Sequence, residues 1–357
     1  MAEIYGDRWE IVKSLGEGGQ AHTFLVTDAK GVGETYYVLK RLKNINRLSR
    51  FKREIEAIRN LSHENIVQLK DFDLEAEKPY LVTEYCSGES LDKARSFWHN
   101  DPIKAIELFQ QICEGIKHAH SNGIIHRDLK PANIFLRTKA GPAVVGDFGL
   151  CYIDDDGLRI TLTDDAIGPR LFIAPELEDG RAKEISAKSD VYSLGKILYW
   201  LLSEGSVFSR EKHRERGWDL KDRSPVDRNL GGFLGWKNIY MEHVNRLLDL
   251  MIVHNPRERE SVYSIISFIP RLIRLVQKEF NPIDKDIKQP CTYCGYGYYL
   301  LCVSDNDALR KFGFTPVGAA DWRVYSCSFC GHVQTFRVDI AGEEQKNRWK
   351  SIKLPNI

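Results

Sequence analysis

The chain has 357 residues, 43% apolar and 28% charged, which fits a globular protein with room for roughly one to three domains. Its 51 basic and 50 acidic residues leave a formal charge of +1, so no global field directs it to nucleic acid or to an acidic membrane surface. No apolar run is long enough to span a bilayer: 195–202 is short, and 265–276 is broken by Pro270, Arg271 and Arg274. The opening residues, Met1 to Asp7, lack a basic stretch followed by an apolar one, so no signal peptide is read and a cytoplasmic location is expected.

Residues 1–85 read as β-rich. Runs 9–15, 23–27, 36–42, 66–72 and 80–85 have strand character, and 50–61 has helical spacing with Phe51, Ile55, Ile58 and Leu61 on one face. Between the first two runs lies Gly16-Glu17-Gly18-Gly19, where glycine lets backbone amides approach a phosphate; alone, such a turn also serves as a plain hairpin. From Cys86 onward the pattern is helical. Asp101 caps and Pro102 opens a helix whose apolar stripe is Ile103, Ile106, Phe109, Ile112, Ile116 and Ala119, and Asn122-Gly123 stops it. Further helices are predicted at 189–203, 243–252 and 262–278. Pro282 and Pro290 then flank a charged stretch, 281–290, that reads as a linker. Residues 291–340 are β-like, with strands expected at 298–303 and 333–338, and 341–357 forms a tail.

The densest chemistry lies in Ile124-Ile125-His126-Arg127-Asp128-Leu129-Lys130-Pro131-Ala132-Asn133, followed by Asp147-Phe148-Gly149. Phosphoryl transfer from a nucleotide needs a carboxylate to orient the attacking hydroxyl, a cation for the moving phosphoryl group and oxygen ligands for a divalent metal. Together with the glycine turn, these motifs make the chain resemble the eukaryotic-type serine/threonine protein kinase family from about Trp9 to Phe280. The resemblance implies an α+β, bilobal fold, with an N-lobe over 1–85 and a C-lobe over 86–280. It also implies ATP as donor, a protein hydroxyl as acceptor, and magnesium, with manganese as an alternative.

By the same resemblance, Gly16, Gly18 and Gly19 cover the nucleotide phosphates and Lys40 contacts them, paired with Glu54. Val38 and Phe135 enclose the base, Thr83 guards the back of its pocket, and backbone groups of Glu84 and Cys86 bond its edge. Asp128 orients the acceptor hydroxyl, Lys130 neutralises the transferring group, and Asn133 and Asp147 hold the metal. Glu176 pairs with Arg259, Asp190 tethers the catalytic loop, and Ile58, Leu69, His126 and Phe148 stack as a spine. The lysine two residues after Asp128 matches serine/threonine kinases better than tyrosine kinases.

Several residues depart from the family pattern. Val38, Thr23 and Phe135 replace alanine, valine and leucine and reshape the nucleotide pocket, while Ala21 in place of the third loop glycine is mild. Pro169 stands where these kinases usually carry a threonine that bridges the catalytic aspartate and lysine, which weakens the inference to a serine or threonine acceptor. Arg127 beside Asp128 points to control by a phosphorylated activation loop, with Thr161 and Thr163 as candidate sites; Asp154 to Asp156, or Asp164 and Asp165, are the alternative source of negative charge.

Of eight cysteines, Cys86, Cys113, Cys151 and Cys302 are scattered singly. The others form Cys291-Thr292-Tyr293-Cys294-Gly295 and Cys327-Ser328-Phe329-Cys330-Gly331, two similar knuckles that suit tetrahedral zinc in a zinc-ribbon-like module. Four thiolates leave no open coordination site, so the zinc is expected to be structural; a redox dithiol or disulfide is the alternative. A protein docking partner is favoured for this module over nucleic acid, because its aromatics serve equally as a core. A catalytically weak scaffold is the other function class, and a kinase whose ribbon senses nucleic acid a third.

Overall fold

The computed structural model describes residues 4–17, 21–31, 35–98, 101–139, 141–149, 152–153, 171–203, 205, 241–277, 299–303, 321–327 and 332–338. The chain divides into two compact units, Met1–Ile273 and Arg274–Ile357.

The first unit opens with an antiparallel sheet of β1 (Ile4–Tyr5), β2 (Trp9–Glu17), β3 (Ala21–Asp28), β4 (Tyr36–Leu42), β5 (Leu69–Asp73) and β6 (Tyr80–Glu84), in the order β1-β2-β3-β4-β6-β5. Alternate residues of a strand face opposite sides, and both faces are used. Leu39 joins Tyr5, Trp9, Val26, Tyr80 and Val82 on one side. Leu42 joins Leu81 and the buried Phe51 and Ile55 of α1 (Leu48–Arg59) on the other. Lys40 has the parity of Leu42, and it lies in register with Thr23 on β3 and Leu81 on β6. The alternation therefore turns Lys40 toward α1.

The strand predicted over 66–72 does not form as one strand. Only its second half enters the sheet, because Ile66 bridges to Val145 and Val67 donates its N–H to the Val145 carbonyl at 2.9 Å. Asn65 locks this arrangement: its carbonyl accepts from Val145 N–H at 2.8 Å and its side-chain amide donates to the Ala143 carbonyl at 2.9 Å.

The helical part begins with α2 (Pro102–Ser121), capped by the Asp101 carboxylate, which accepts from Lys104 N–H at 2.9 Å. The helix stops where Gly123 adopts φ +72°, a conformation that costs glycine little. Gly115 of α2 lies so close to Asn65 that a Cβ there would sit 2.6 Å from its carbonyl oxygen. Short strands β7 (Ile124–Ile125), β8 (Ile134–Leu136), β9 (Ala143–Val145) and β10 (Tyr152–Ile153) follow, pairing as β8 with β9 and β7 with β10. After α3 (Pro175–Glu178) comes α4 (Ala187–Leu202), whose residues from Ser189 to Leu202 are all buried. A helix enclosed on every side is the centre of its lobe. Its start is fixed by a capping box between Ser186 and Ser189. Two further helices, α5 (Met241–Met251) and α6 (Val262–Gln277), complete the described part. The last of these runs through Pro270, whose missing N–H removes one helical bond; the buried Ile265, Ile269 and Leu272 hold the helix together across it.

In the second unit β11 (Tyr299–Val303), β12 (Asp321–Cys327) and β13 (Val333–Val338) form an antiparallel sheet in chain order. Among the described residues, no helix is long and apolar enough to cross a membrane.

Candidate active site

Two clusters of polar side chains form from the residues that the sequence singled out. In the first, Lys40 Nζ lies 2.6 Å from Glu54 Oε1 of α1 and 2.9 Å from Asp147 Oδ1. Burial works against the Lys40 charge, but Asp147 and Glu54 outweigh it and hold its pKa above the ordinary lysine value. The Lys40 ammonium in turn depresses the Asp147 carboxyl to about 2, against the opposing effect of burial. Asp147 is thus a fixed anion at neutral pH. Burial pushes the Glu54 carboxyl up, with Lys40 opposing the shift. Arg50, one turn before Glu54, donates Nε–H to the Gly149 carbonyl at 2.7 Å and ties α1 to the loop carrying Asp147. A Cβ on Gly149 would be a tight fit, 3.2 Å from both Asp147 Oδ1 and Glu54 Oε2, and these side chains would have to give by a few tenths of an ångström.

In the second cluster, Lys130 Nζ reaches both oxygens of Asp128, at 3.1 and 2.9 Å. Asn133 Nδ2 donates to the Asp128 main-chain carbonyl at 2.8 Å and to its Oδ2 at 3.0 Å. That use of the nitrogen leaves the Asn133 carboxamide oxygen as the group able to accept or ligate.

Main-chain bonds join the two clusters. Gly146 N–H donates to the Asn133 carbonyl at 2.9 Å, His126 Nε2 lies 3.0 Å from the Gly146 carbonyl, and the His126 and Phe148 rings pack with centroids 4.6 Å apart. The left-handed backbone at Arg127 (φ 68°) and Asp147 (φ 56°) costs about 1–3 kcal/mol each and must be held by its surroundings. For Arg127 the holder is Asp190 of α4, whose carboxylate accepts from His126 N–H and Arg127 N–H, both at 2.9 Å, and contacts His120 Nε2 at 2.8 Å. Burial alone would raise the Asp190 pKa, yet His120 and these main-chain donors bring it below the usual aspartate value. Below this loop, Arg259 forms a fully buried bidentate pair with Glu176, at 2.6 and 2.7 Å.

The predicted base-binding residues also converge. Val38 pairs in register with Thr83, and half-buried Phe135 packs against Val67, Cys86 and Val144. The Cys86 thiol is pushed up to about 12, mainly by burial, so it behaves as an apolar group rather than a thiolate. Gly16, the last residue but one of β2, has φ +148°. Of the predicted spine, His126 and Phe148 are fully buried, Ile58 is buried, and half-buried Leu69 packs with the Leu42 cluster.

With a lysine held between two acids, a carboxylate bridged by lysine and amide, and a buried aspartate fixing the loop between them, comparison with known proteins becomes decisive. The family model for the protein kinase domain matches residues 9–268. The chain belongs to the protein kinase family. Among relatives of this kinase, serine/threonine-protein kinase Nek1 of Mus musculus is 32% identical over 292 residues, which is 77% of this chain and 23% of that protein. Serine/threonine-protein kinase PknB of Mycobacterium leprae is 35% identical over 209 residues, 55% of this chain and 32% of its own length. A probable serine/threonine-protein kinase of Corynebacterium efficiens is 34% identical over 221 residues, 59% of this chain and 33% of that protein. The chain therefore spans only about a quarter to a third of the length of these relatives.

Gly18, Gly19, Thr161, Thr163, Pro169, Cys291, Cys294 and Cys330 lie outside the described residues. Among the described residues there is no cluster of three or more metal-ligating side chains. Sequence reasoning missed Arg50, His120 and the ion pair between Glu84 and Arg137, whose Nε and Nη2 each lie 3.0 Å from a Glu84 oxygen. No local pattern could have revealed them, because their partners are 53 to 99 residues away.

Proposed function

We propose that this kinase transfers the γ-phosphate of ATP to serine or threonine hydroxyls of proteins. The observation that carries the reading is the paired geometry of Lys40 with Glu54 and Asp147, and of Asp128 with Lys130 and Asn133. Asp128, partly open to solvent, accepts the hydrogen bond of the incoming hydroxyl and points its oxygen at the phosphorus. Lys130 balances charge as it builds on the transferred group, and Lys40, kept protonated, binds nucleotide phosphates. Main-chain groups of Glu84 and Cys86 bond the base over Phe135.

The ionised Asp147 carboxylate and the free carboxamide oxygen of Asn133 fit a magnesium ion, which takes oxygen ligands. Bound there, magnesium neutralises phosphate charge. The direct contact of Lys130 with both Asp128 oxygens supports the serine/threonine reading despite Pro169, because the acid and the lysine meet without a bridging hydroxyl. Purified chain incubated with γ-labelled ATP and magnesium is expected to label serine or threonine in acceptor proteins, and Lys40→Met is expected to remove the label. Phosphotyrosine alone, or equal labelling by the variant, would overturn the proposal.

We also infer a zinc ribbon over 291–340, carried by Cys291, Cys294, Cys327 and Cys330, as a docking module in a cytoplasmic protein. The register of the small sheet supports it. Cys327 ends β12 opposite Tyr299, the first residue of β11, and its N–H bonds the carbonyl of His332, the residue before β13, at 2.7 Å. Cys294 precedes Tyr299 by only five residues of sequence, a stretch that spans at most about 18 Å. Cys327 is buried, as a ligand of a closed site should be. Elemental analysis is expected to find about one zinc per chain, lost in Cys327→Ser; a zinc-free chain with oxidised cysteines would reject the ribbon.

A further inference from the structure

Between the two lobes, Arg137 touches the hinge twice. Its guanidinium forms two parallel bonds to the Glu84 carboxylate, both 3.0 Å, while its own carbonyl accepts the Ser87 N–H at 3.0 Å. Glu84 and Ser87 are the residues on either side of Tyr85-Cys86. The Glu84 carboxylate is itself anchored on the other lobe, because Oε1 accepts the Gln68 N–H at 3.0 Å and Glu84 N–H donates to the Gln68 carbonyl at 3.0 Å. Side-chain exposures of 27% for Arg137 and 17% for Glu84 leave the pair only partly screened by water. Glu84 raises the Arg137 pKa further, so the charge is permanent.

The segment after the hinge is held just as closely. Gly88 N–H donates to the Leu136 carbonyl, Leu136 N–H to the Glu89 carbonyl and Leu91 N–H to the Ile134 carbonyl, so Ser87 to Leu91 lines up along β8. Gly88 leaves no slack: a Cβ there would lie 2.2 Å from the Thr138 carbonyl oxygen. Arg137 follows Phe135 by two residues and so shares its face at the end of β8. The aromatic floor therefore lies in β8 and the hinge anchor is the residue that directly follows it.

We propose that Arg137 is a positioning residue for the nucleotide base. It holds the chain on both sides of Cys86, so that the main-chain edge of Glu84 and Cys86 and the Phe135 ring keep one spacing around the adenine. The proposal rests on the reading of the chain as an ATP-dependent kinase. Its action is at the base end of the nucleotide, away from Lys40, Asp128 and Asp147, and the two ends can be tested apart.

The experiment measures affinity of the full chain for MgATP and for adenosine by calorimetry, and KM for ATP and kcat, in wild type, Arg137→Ala and Arg137→Lys. Loss of a charged bidentate bond should weaken both ligands about tenfold in Arg137→Ala, raise KM for ATP to match and leave kcat within about twofold. Arg137→Lys, which keeps the charge and one bond, should weaken both ligands equally but less, and it carries the test if the alanine variant does not fold. Unchanged affinities, a loss confined to ATP, or a fall in kcat at constant KM would each overturn the proposal. Failure of the wild-type chain to bind ATP at all would instead overturn the kinase reading.

Discussion

Asp128→Asn is expected to lower kcat by about 10³-fold, within the range that a positioned acid–base group contributes, and to leave KM for ATP nearly unchanged. The substitution keeps the shape of the side chain. The new carboxamide oxygen can still accept from Lys130 Nζ, and Asn133 still bonds the residue's main-chain carbonyl, so the loop keeps these anchors and loses only the bonds to the second oxygen. Asp190 goes on holding the preceding His126 and Arg127 amides. What disappears is the negative charge that orients and receives the hydroxyl proton. Steady-state kinetics beside thermal unfolding of the same samples checks this: a variant with unchanged melting and kcat within tenfold of wild type would remove Asp128 from the mechanism.

The largest effect on stability is expected at Arg259. Arg259→Met should cost about 3–5 kcal/mol, the range for removing one partner of a buried ion pair. Both side chains are fully buried, and the pair is not isolated. Arg259 also donates to the carbonyls of Val253 at 2.7 Å, Lys188 at 3.0 Å and His254 at 3.0 Å. Its loss strands a buried carboxylate and these three acceptors together, so a compensating change at Glu176 would restore little. Burial alone would raise the Glu176 pKa, and Arg259 is what keeps it below the ordinary value. Without Arg259 the effect of burial is no longer offset, and the carboxyl's pKa should rise. Urea unfolding should show the loss, with exposed Arg257→Ala within about 0.5 kcal/mol of wild type as the control; equal midpoints for the two variants would contradict the assignment.

Much of this was legible locally. The Asp101-Pro102 start of α2 and its Asn122-Gly123 stop depend only on neighbouring residues, and the structure has them where the pattern does. The run 36–42 was legible as a strand and recurs as β4, whereas its register is set by its partners β3 and β6. The strand candidate 66–72 misled in part, since strand character does not say which partner a chain will pair with. Asn65 decides that through bonds to Ala143 and Val145, nearly eighty residues away. Strands of two or three residues, such as β1, β7 and β10, carry no periodicity at all and exist only through their partners. The catalytic residues were visible because they fall in short strings. The side chains that orient them, His120 and Arg50, come from distant segments and have no string to betray them, and the same holds for Arg137 at the hinge.

The bonds around Asn65 also govern how α1 can travel. The stretch that follows this helix is stitched to β9 and pressed on α2 at Gly115, so its C-terminal end behaves as a fulcrum rather than a sliding joint. A rod pinned at one end cannot withdraw from its neighbour; it can only swing. Glu54 lies between that pinned end and the first turn, which Arg50 holds to the Gly149 carbonyl. Parting Glu54 from Lys40 would therefore require an arc that also breaks the Arg50 bond, with the greatest sweep at Leu48. A hand laid on the first turn of α1 would therefore have the longest lever over the Lys40 pair.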